Sequence, residues 1–467
     1  MNKQTKSQAN RFTAILCVAI LINLALYYLP DTIFGIPIKK VDLLSDIRLL
    51  TPNTPVDNEL LVVIPEKKHL EFQPITPHVE AVVNESTALK TVSVASADVT
   101  TIEDFSSARN GLSRFFSALD NIDHLGRPVR IAFVGDSFIE GDILVADFRA
   151  KMQEHFSGRG VGFLPITSVT EQYRPTIKQS ANGWKTYSMI KDRNRKYVIS
   201  GFQFEPLSQE ASFHFQTVDR YPGLEEVSSL KFIYVGNEAS EMMLKQDNET
   251  YSFQLPPADR VSQFELIGNF RKGTLQFKNP KGLKAIGIAL EDNRGVIVDN
   301  FSMRGNSGIV LSQLDVESCR DLQEIRPYDL IVLQYGLNVA NDSIREYSWY
   351  RNRMIEVVEH IQDCFPGADI LVLGVSDRSR NGHSTMPAVL SLLQAQRQMA
   401  ESAEVAFWSI FNAMGGQNSM VKYVNYNWAS KDFTHLSFRG GREIANALYD
   451  ALIIEKGFYK NNETVDE

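Results

Sequence analysis

Two stretches of this 467-residue chain alternate short apolar runs with helical periods, and a third of different character lies between them. That pattern constrains the fold more than any other feature. In the first stretch a helical spacing begins near Phe105 and places Leu112, Phe115, Phe116 and Leu119 on one face. Gly126-Arg127-Pro128 breaks it, Val129–Val134 reads as a buried strand, and the helical period resumes from Ile143 to Phe156. In the second, strands at Leu330–Leu333, Ile370–Val375 and Val405–Ile410 alternate with helices at Tyr350–Phe365, Pro387–Ala400 and Gly440–Ile454. Strands that alternate with helices form a parallel sheet covered on both faces. From about Arg174 to Leu290 the pieces are short, alternating or aromatic-rich, as at Tyr197–Phe204, Ala211–Gln216, Leu230–Val235 and Gly273–Phe277. Gly, Pro, Asn and Asp turns separate them, which predicts an antiparallel β-sandwich inserted into the α/β part.

The N-terminus adds a different element. Every residue from Phe12 to Leu29 is apolar except Thr13 and Asn23, enough at about 1.5 Å per residue to reach across a bilayer core. Lys3, Lys6 and Arg11 precede the run, so the positive-inside rule predicts a cytoplasmic N-terminus and an exported remainder. Tyr27-Tyr28-Leu29-Pro30 closes it where a signal peptide would show small residues, which favours an uncleaved transmembrane helix. The expected divisions are a cytoplasmic stub and membrane anchor over 1–30 and a proline-punctuated, then Ser/Thr/Val/Ala-rich linker over 31–104, with Leu60–Ile64 as one short strand candidate. The α/β domain then covers 105–174 and 290–458, interrupted by the insert at 175–289, and a polar tail covers 459–467. A net charge of -8, with no basic stripe, argues against a nucleic-acid partner. Cys17, Cys319 and Cys364 lack disulfide or zinc spacing and read as apolar fillers.

Four short blocks carry the chemistry. Gly135-Asp136-Ser137 follows the Val129–Val134 strand and precedes a helix, which puts Ser137 at the carboxyl end of a parallel strand, where open α/β sheets keep their active sites. The helix behind it offers backbone N–H groups to developing negative charge. Arg304-Gly305-Asn306-Ser307-Gly308 supplies a glycine N–H, and Gln334-Tyr335-Gly336-Leu337-Asn338 a side-chain amide, each suited to an oxyanion. Asp432-Phe433-Thr434-His435 sets a carboxylate and an imidazole on one turn, the partners a serine nucleophile requires. His124, His155 and His214 lack partners at metal-ligand spacing, so neither a metal nor a cofactor is expected. Glu140 and Asp142 read as helix-capping acids, His383 as part of a polar loop, and Trp184, Trp408 and Trp428 as core. Trp428, four residues before Asp432, lies close enough to border the site.

In this order and spacing the blocks resemble those of the SGNH/GDSL hydrolases. The resemblance implies a flavodoxin-like parallel sheet, Ser137 as nucleophile with Asp432 and His435 completing the triad, and an oxyanion hole from Ser137, Gly308 and Asn338, with Gly305 second to Gly308. Val339 stands where the family often has Asp, a position outside the hole. Gly135–Asp142, with Phe156-Ser-Gly-Arg-Gly-Val-Gly162 and Leu164-Pro165, is similar to the peptidoglycan O-acetylesterases of Gram-negative bacteria, which carry a carbohydrate-binding-like sandwich after the first block. That likeness implies an esterase removing O-acetyl groups from an extracytoplasmic polysaccharide, peptidoglycan first, in a single-pass inner-membrane protein with a periplasmic catalytic domain. The rivals are an O-acetyltransferase using the same triad and a non-catalytic, membrane-tethered glycan-binding protein.

Overall fold

The computed structural model describes residues 99–463 and, before them, only a two-residue antiparallel pair, Thr32–Ile33 with Ile36–Pro37. The expected membrane segment at 12–29, nearly all of the 31–104 linker and the last residues of the tail lie outside the described residues. Among those described, no helix is long and apolar enough to cross a membrane. Two units divide the chain, Met1–Thr91 and Val92–Glu467, and all that follows concerns the second.

Its frame is a sheet of five parallel strands, β1 (Val129–Gly135), β2 (Val296–Ser302), β3 (Leu330–Gln334), β4 (Asp369–Gly374) and β5 (Ala406–Ser409). They lie in the order β2-β1-β3-β4-β5, with the short Glu103–Asp104 strand antiparallel on the β5 edge. This is the flavodoxin-like order, whose switch point falls between β1 and β3. Because side chains alternate along a strand, each strand feeds two cores. Ala132, Val134, Ile331, Leu333, Ile370 and Val372 pack with helices Val316–Ile325, Ser348–Cys364 and Pro387–Ser402. Ile131, Phe133, Leu330, Val332, Leu371 and Leu373 pack with helices Ser113–Asp120, Val145–Phe156 and Phe438–Glu463. Cys319 and Cys364 are buried in the first of these cores as free thiols.

Three local expectations change. The helix expected from Phe105 begins only at Ser113, because the Asp104 carboxylate draws the Ser106 and Gly111 N–H groups into a turn. The helix expected from Ile143 begins at Val145, after a tight turn over Glu140–Asp142. Strand β2 has no counterpart in the expected elements, since Asp299 and Asn300 interrupt its apolar run; both are buried, for reasons given below.

The insert is two antiparallel sheets face to face. One holds strands Ala258–Phe270, Val227–Gly236, Leu283–Glu291, Phe202–Pro206 and Trp184–Ser188; the other holds Glu249–Leu255, Ser240–Gln246, Lys272–Lys278, Glu210–Gln216 and Lys178–Asn182. Leu230, Phe232 and Tyr234 meet Phe213, Phe215, Leu275 and Phe277 between them. The boundary at 174 is displaced. Gly160–Leu164, placed by sequence in the α/β part, pairs with Leu283–Glu291 and so extends a sheet of the insert.

Lys231 and Ile233 leave the other face of Val227–Gly236 and point away from the sandwich core. Ile233 joins the helix-side core, with Val261 and Ile286 of the same sheet. Lys231 Nζ reaches Glu291 at 2.7 Å, in a cluster whose other cations are Arg130 of β1 (2.8 Å) and Arg326 (2.6 Å). Arg326 also pairs with Asp299 of β2 at 2.7 Å, and the Tyr328 hydroxyl donates to Asp299. Burial alone would raise the Glu291 carboxyl, but Arg326, Arg130 and Lys231 together hold it well below the usual carboxylate range. Replacing Glu291 with Ala leaves three cations without their shared anion. The expected loss is about 3–5 kcal/mol in urea unfolding, the scale for removing one member of a buried ion cluster. A loss under about 1 kcal/mol would show that the joint does not depend on these charges.

Candidate active site

Ser137 stands where β1 ends, beside the switch point. The turn that follows is pinned from behind by Asp142, which lies at a left-handed φ of 65° next to Gly141 at 63°. Its carboxylate accepts from Arg149 (3.1 Å), Arg174 (2.9 Å), Thr176 (2.5 Å) and Asn300 (2.7 Å). Asn300, at the end of β2, also donates to the Ile139 carbonyl at 2.9 Å. Burial pushes the Asp142 carboxyl up, but the two guanidinium groups and the neutral donors outweigh it, so it stays ionised far below the usual range. Glu140 accepts from Arg304 at 2.8 and 2.5 Å. The capping role expected for these two acids is therefore corrected. No side chain caps the Val145–Phe156 helix, and both carboxylates are tied to cations from other segments.

The Asp432–His435 turn comes to Ser137 from the other end of the domain. Asp432 Oδ1 accepts from the backbone N–H groups of Thr434 and His435, each at 3.0 Å, while Oδ2 faces His435 Nδ1 at 2.7 Å. Phe433 between them adopts φ 53°, the cost of so tight a turn. With Nδ1–H directed at the carboxylate, Nε2 is left to accept, and it lies 3.3 Å from Ser137 Oγ. Burial raises the Asp432 carboxyl, but the His435 ring and the two backbone N–H groups more than offset that and lower it. Close approach depends on glycine: a Cβ on Gly441, at the start of the last helix, would strike the Ile143 carbonyl of the nucleophile turn.

Asn338 meets Asp136, the residue before Ser137, and Gly308 is linked to Asn338 through Asn306, so both are engaged within the protein. Asn338 Nδ2 donates to Asp136 Oδ2 (2.7 Å) and to the Asn306 carbonyl (2.9 Å). The Gly308 N–H donates to Asn306 Oδ1 at 3.0 Å. Gly308 has φ 93°, and a Cβ there would lie 3.0 Å from the Tyr335 ring, so no other residue fits without displacement. Gly305, at φ 70°, faces open space. Asn306 is buried, and its Nδ2 has no hydrogen-bond partner. Asp136, also buried, accepts from the Phe138 N–H at 2.9 Å through its other oxygen. Burial raises its carboxyl to about 6, against the lowering effects of that N–H, the nearby His435 and Asn338.

Sequence reasoning passed over Asp136 and Asn306, although both lie inside the motifs it used. The signal was available for Asp136, whose place before the serine makes it a neighbour of whatever ends β3. Arg378, whose Nη1 donates to the Leu337 carbonyl at 3.3 Å, left no such signal. The loop carrying His383 meets the triad turn, since Ser379 N–H donates to the Phe433 carbonyl at 3.1 Å, while His383 itself is exposed. Trp428 is half-buried against Tyr423 and Tyr426, and its carbonyl accepts from Ser437 N–H just after His435.

No protein-family model matches the sequence, and no curated protein matches it. Among solved structures, the chain is similar to a peptidoglycan O-acetylesterase at 22% identity and TM-score 0.60, over 76% of this chain and 99% of that one. A family two carbohydrate esterase from Cellvibrio japonicus matches at 13% identity and TM-score 0.26, over 61% and 99%. The psychrotrophic esterase EstA from Pseudoalteromonas sp. matches at 14% identity and TM-score 0.25, over 34% and 76%. The first likeness speaks to the fold, and the other two superpose too poorly to add to it. The flavodoxin-like parallel sheet expected from the sequence is therefore met in the fold.

The Asp136–Asn338 contact has a measurable consequence. In Asp136→Asn, Oδ1 keeps the Phe138 N–H and the new amide nitrogen faces Asn338 Nδ2, donor against donor. Turnover of a chromogenic acetate ester is expected to fall by about tenfold or more, short of the 10²–10³ for outright loss of an oxyanion donor, with KM little changed. An unchanged kcat would show that Asp136 does not position Asn338.

Proposed function

We propose that the protein is a serine esterase that removes O-acetyl groups from a polysaccharide, with peptidoglycan the first candidate. One observation carries this: the Asp432–His435–Ser137 relay, with contacts of 2.7 and 3.3 Å, at the carboxyl edge of the sheet beside its switch point. His435 takes the Ser137 proton as Oγ attacks the acetyl carbonyl. The C–O bond to the sugar then breaks, and His435 returns the proton to the leaving hydroxyl. Water, deprotonated by the same ring, attacks the acyl-serine and releases acetate. The oxyanion donors are the Ser137 and Gly308 N–H groups and Asn338 Nδ2. The half-exposed His435 and Asp432 side chains suit an ester carried on a large polymer that cannot enter a deep pocket. On this reading the Phe12–Leu29 segment anchors the protein in the inner membrane with the catalytic domain in the periplasm, which the apolar run and its preceding cations support.

The test is acetate release, followed by mass spectrometry, from O-acetylated peptidoglycan incubated with wild-type protein and with Ser137→Ala. Wild type is expected to remove the acetyl groups, and the variant to lose many powers of ten in rate while melting at the same temperature. Acetate release by folded Ser137→Ala near the wild-type rate would end the assignment.

A further inference from the structure

Between the nucleophile turn and the insert lies a cleft of about 580 Å³. One wall is Glu140 and Gly141, from the turn that carries Ser137, together with Met303 and Arg304, which lead into the glycine block. The opposite wall comes from the insert, with Thr186 and Ser188 of strand Trp184–Ser188. We infer that this cleft is a glycan subsite, holding uncharged sugar units next to the ester presented to Ser137. The inference rests on the esterase reading above and gives it a binding site for the polymer.

The lining has the two-sided chemistry of a sugar. Half-buried Phe202 forms an apolar floor, backed by the almost wholly buried rings of Phe163 and Phe301, 4.9 Å apart. Hydroxyls stand on the walls, and those of Thr167 and Thr186 are fixed by a mutual hydrogen bond of 2.7 Å. A pyranose offers an apolar C–H face to such a floor and a rim of hydroxyls to such walls. Val169 and Ile190 at the cleft are 77% and 41% exposed, apolar surface left open to solvent. The volume falls in the range of about 300–1,000 Å³ that takes a bound small molecule, here a few sugar rings.

Charge restricts the ligand further. Arg304 is paired with Glu140 and Arg174 with Asp142, so those cations are already answered within the protein. Of the other charged groups in the lining, Lys191 is outnumbered by Glu171 and Asp192. Asp192 also accepts the Ser188 N–H, which fixes it in place. A cleft with this balance offers no net attraction to an anion and suits a neutral run of sugars. Its walls are held at a fixed separation, since Asp142 ties Arg174 and Thr176, at the entry to the insert, to the nucleophile turn and β2. Binding energy collected here holds the polymer on the protein, which a small acetate ester cannot exploit.

Calorimetric titration of the full-length Ser137→Ala protein with chitotetraose, a neutral tetramer of N-acetylglucosamine, tests this without any turnover. Saturable binding is expected, weakened tenfold or more by Ser188→Trp, which fills the cleft, and severalfold by Ile190→Asp, which charges an exposed rim position and leaves the core untouched. With Ser137 restored, Ser188→Trp should raise KM for O-acetylated peptidoglycan by a similar factor with kcat within about twofold. No binding of the tetramer, or equal binding by all three proteins, would overturn the inference. So would a preference for a polyanionic oligosaccharide that vanishes in Lys191→Glu. Acetate release by the wild type is scored separately, so tetramer binding that depends on the cleft in a protein that releases no acetate would fault the esterase reading alone.

Discussion

A single buried carboxylate, Glu291, holds the two halves of the protein in register. It ends the last strand of the insert yet is met by Arg130 of β1 and by Arg326, just before β3, as well as by Lys231 of the insert. All four side chains are almost wholly buried, and Arg326 extends the cluster to Asp299 in β2. Buried ion clusters of this kind add little net stability over a well-packed apolar joint, because desolvating the charges offsets most of their attraction. What they do impose is geometry. Any seating of the insert that separates Glu291 from its cations leaves charges buried without partners, at a cost of several kcal/mol. The sandwich is therefore a wall of the α/β domain, set at one angle, and it shares the helix-side core through Ile233, Val261 and Ile286.

The catalytic edge repeats the device on a smaller scale, with three carboxylates put to three uses by their surroundings. Asp142 is surrounded by guanidinium and amide donors, stays ionised, and locks the turn behind Ser137. Asp432 is half exposed and held ionised by the N–H groups of its own turn, which leaves Oδ2 to orient His435. Asp136 is buried with few donors, rises to about 6, and fixes the amide of Asn338. The difference lies in the number and charge of the donors each one meets.

Most of this was legible in sequence wherever a local rule decided it. β1, β3, β4 and β5 announced themselves as apolar runs, and the Asp432–His435 turn could be read because three residues suffice to fix it. Where a residue's partners lie far along the chain, the reading failed. β2 was hidden because Asp299 and Asn300 serve Arg326 and Asp142, residues 27 and 158 positions away. Gly160–Leu164 fell within the expected α/β part and was not read as a strand, because its partner strand begins at Leu283. Leu230–Val235 was legible as a strand, but nothing local shows that Lys231 within it is buried and paired with Glu291. Asp142 read as a cap for the same reason: its ligands come from Arg174, Thr176 and Asn300, none of which a local pattern can reach.

The donors of the proposed oxyanion hole are engaged within the protein. The Gly308 N–H and both hydrogens of the Asn338 amide already have acceptors, two of them supplied by Asn306. Gly308 is buried, where an unmet N–H costs about 1–3 kcal/mol, whereas Asn338 is exposed and its amide would otherwise meet water. On the proposed reaction, binding at the hole is then an exchange of acceptors: a neutral carbonyl oxygen of Asn306 gives way to, or shares its donor with, the substrate oxygen. A ground-state ester carbonyl gains almost nothing by that exchange, because one neutral acceptor replaces another. The tetrahedral oxyanion gains a good deal, because hydrogen bonds to a charged acceptor are roughly twice as strong. Self-satisfied donors thus give the ground-state ester little extra binding, and their effect falls on the chemical step through the stronger bonds to the oxyanion. Asn306 enters this account as the acceptor displaced, and its own unpartnered Nδ2 marks it as the member of the site least committed to its present position.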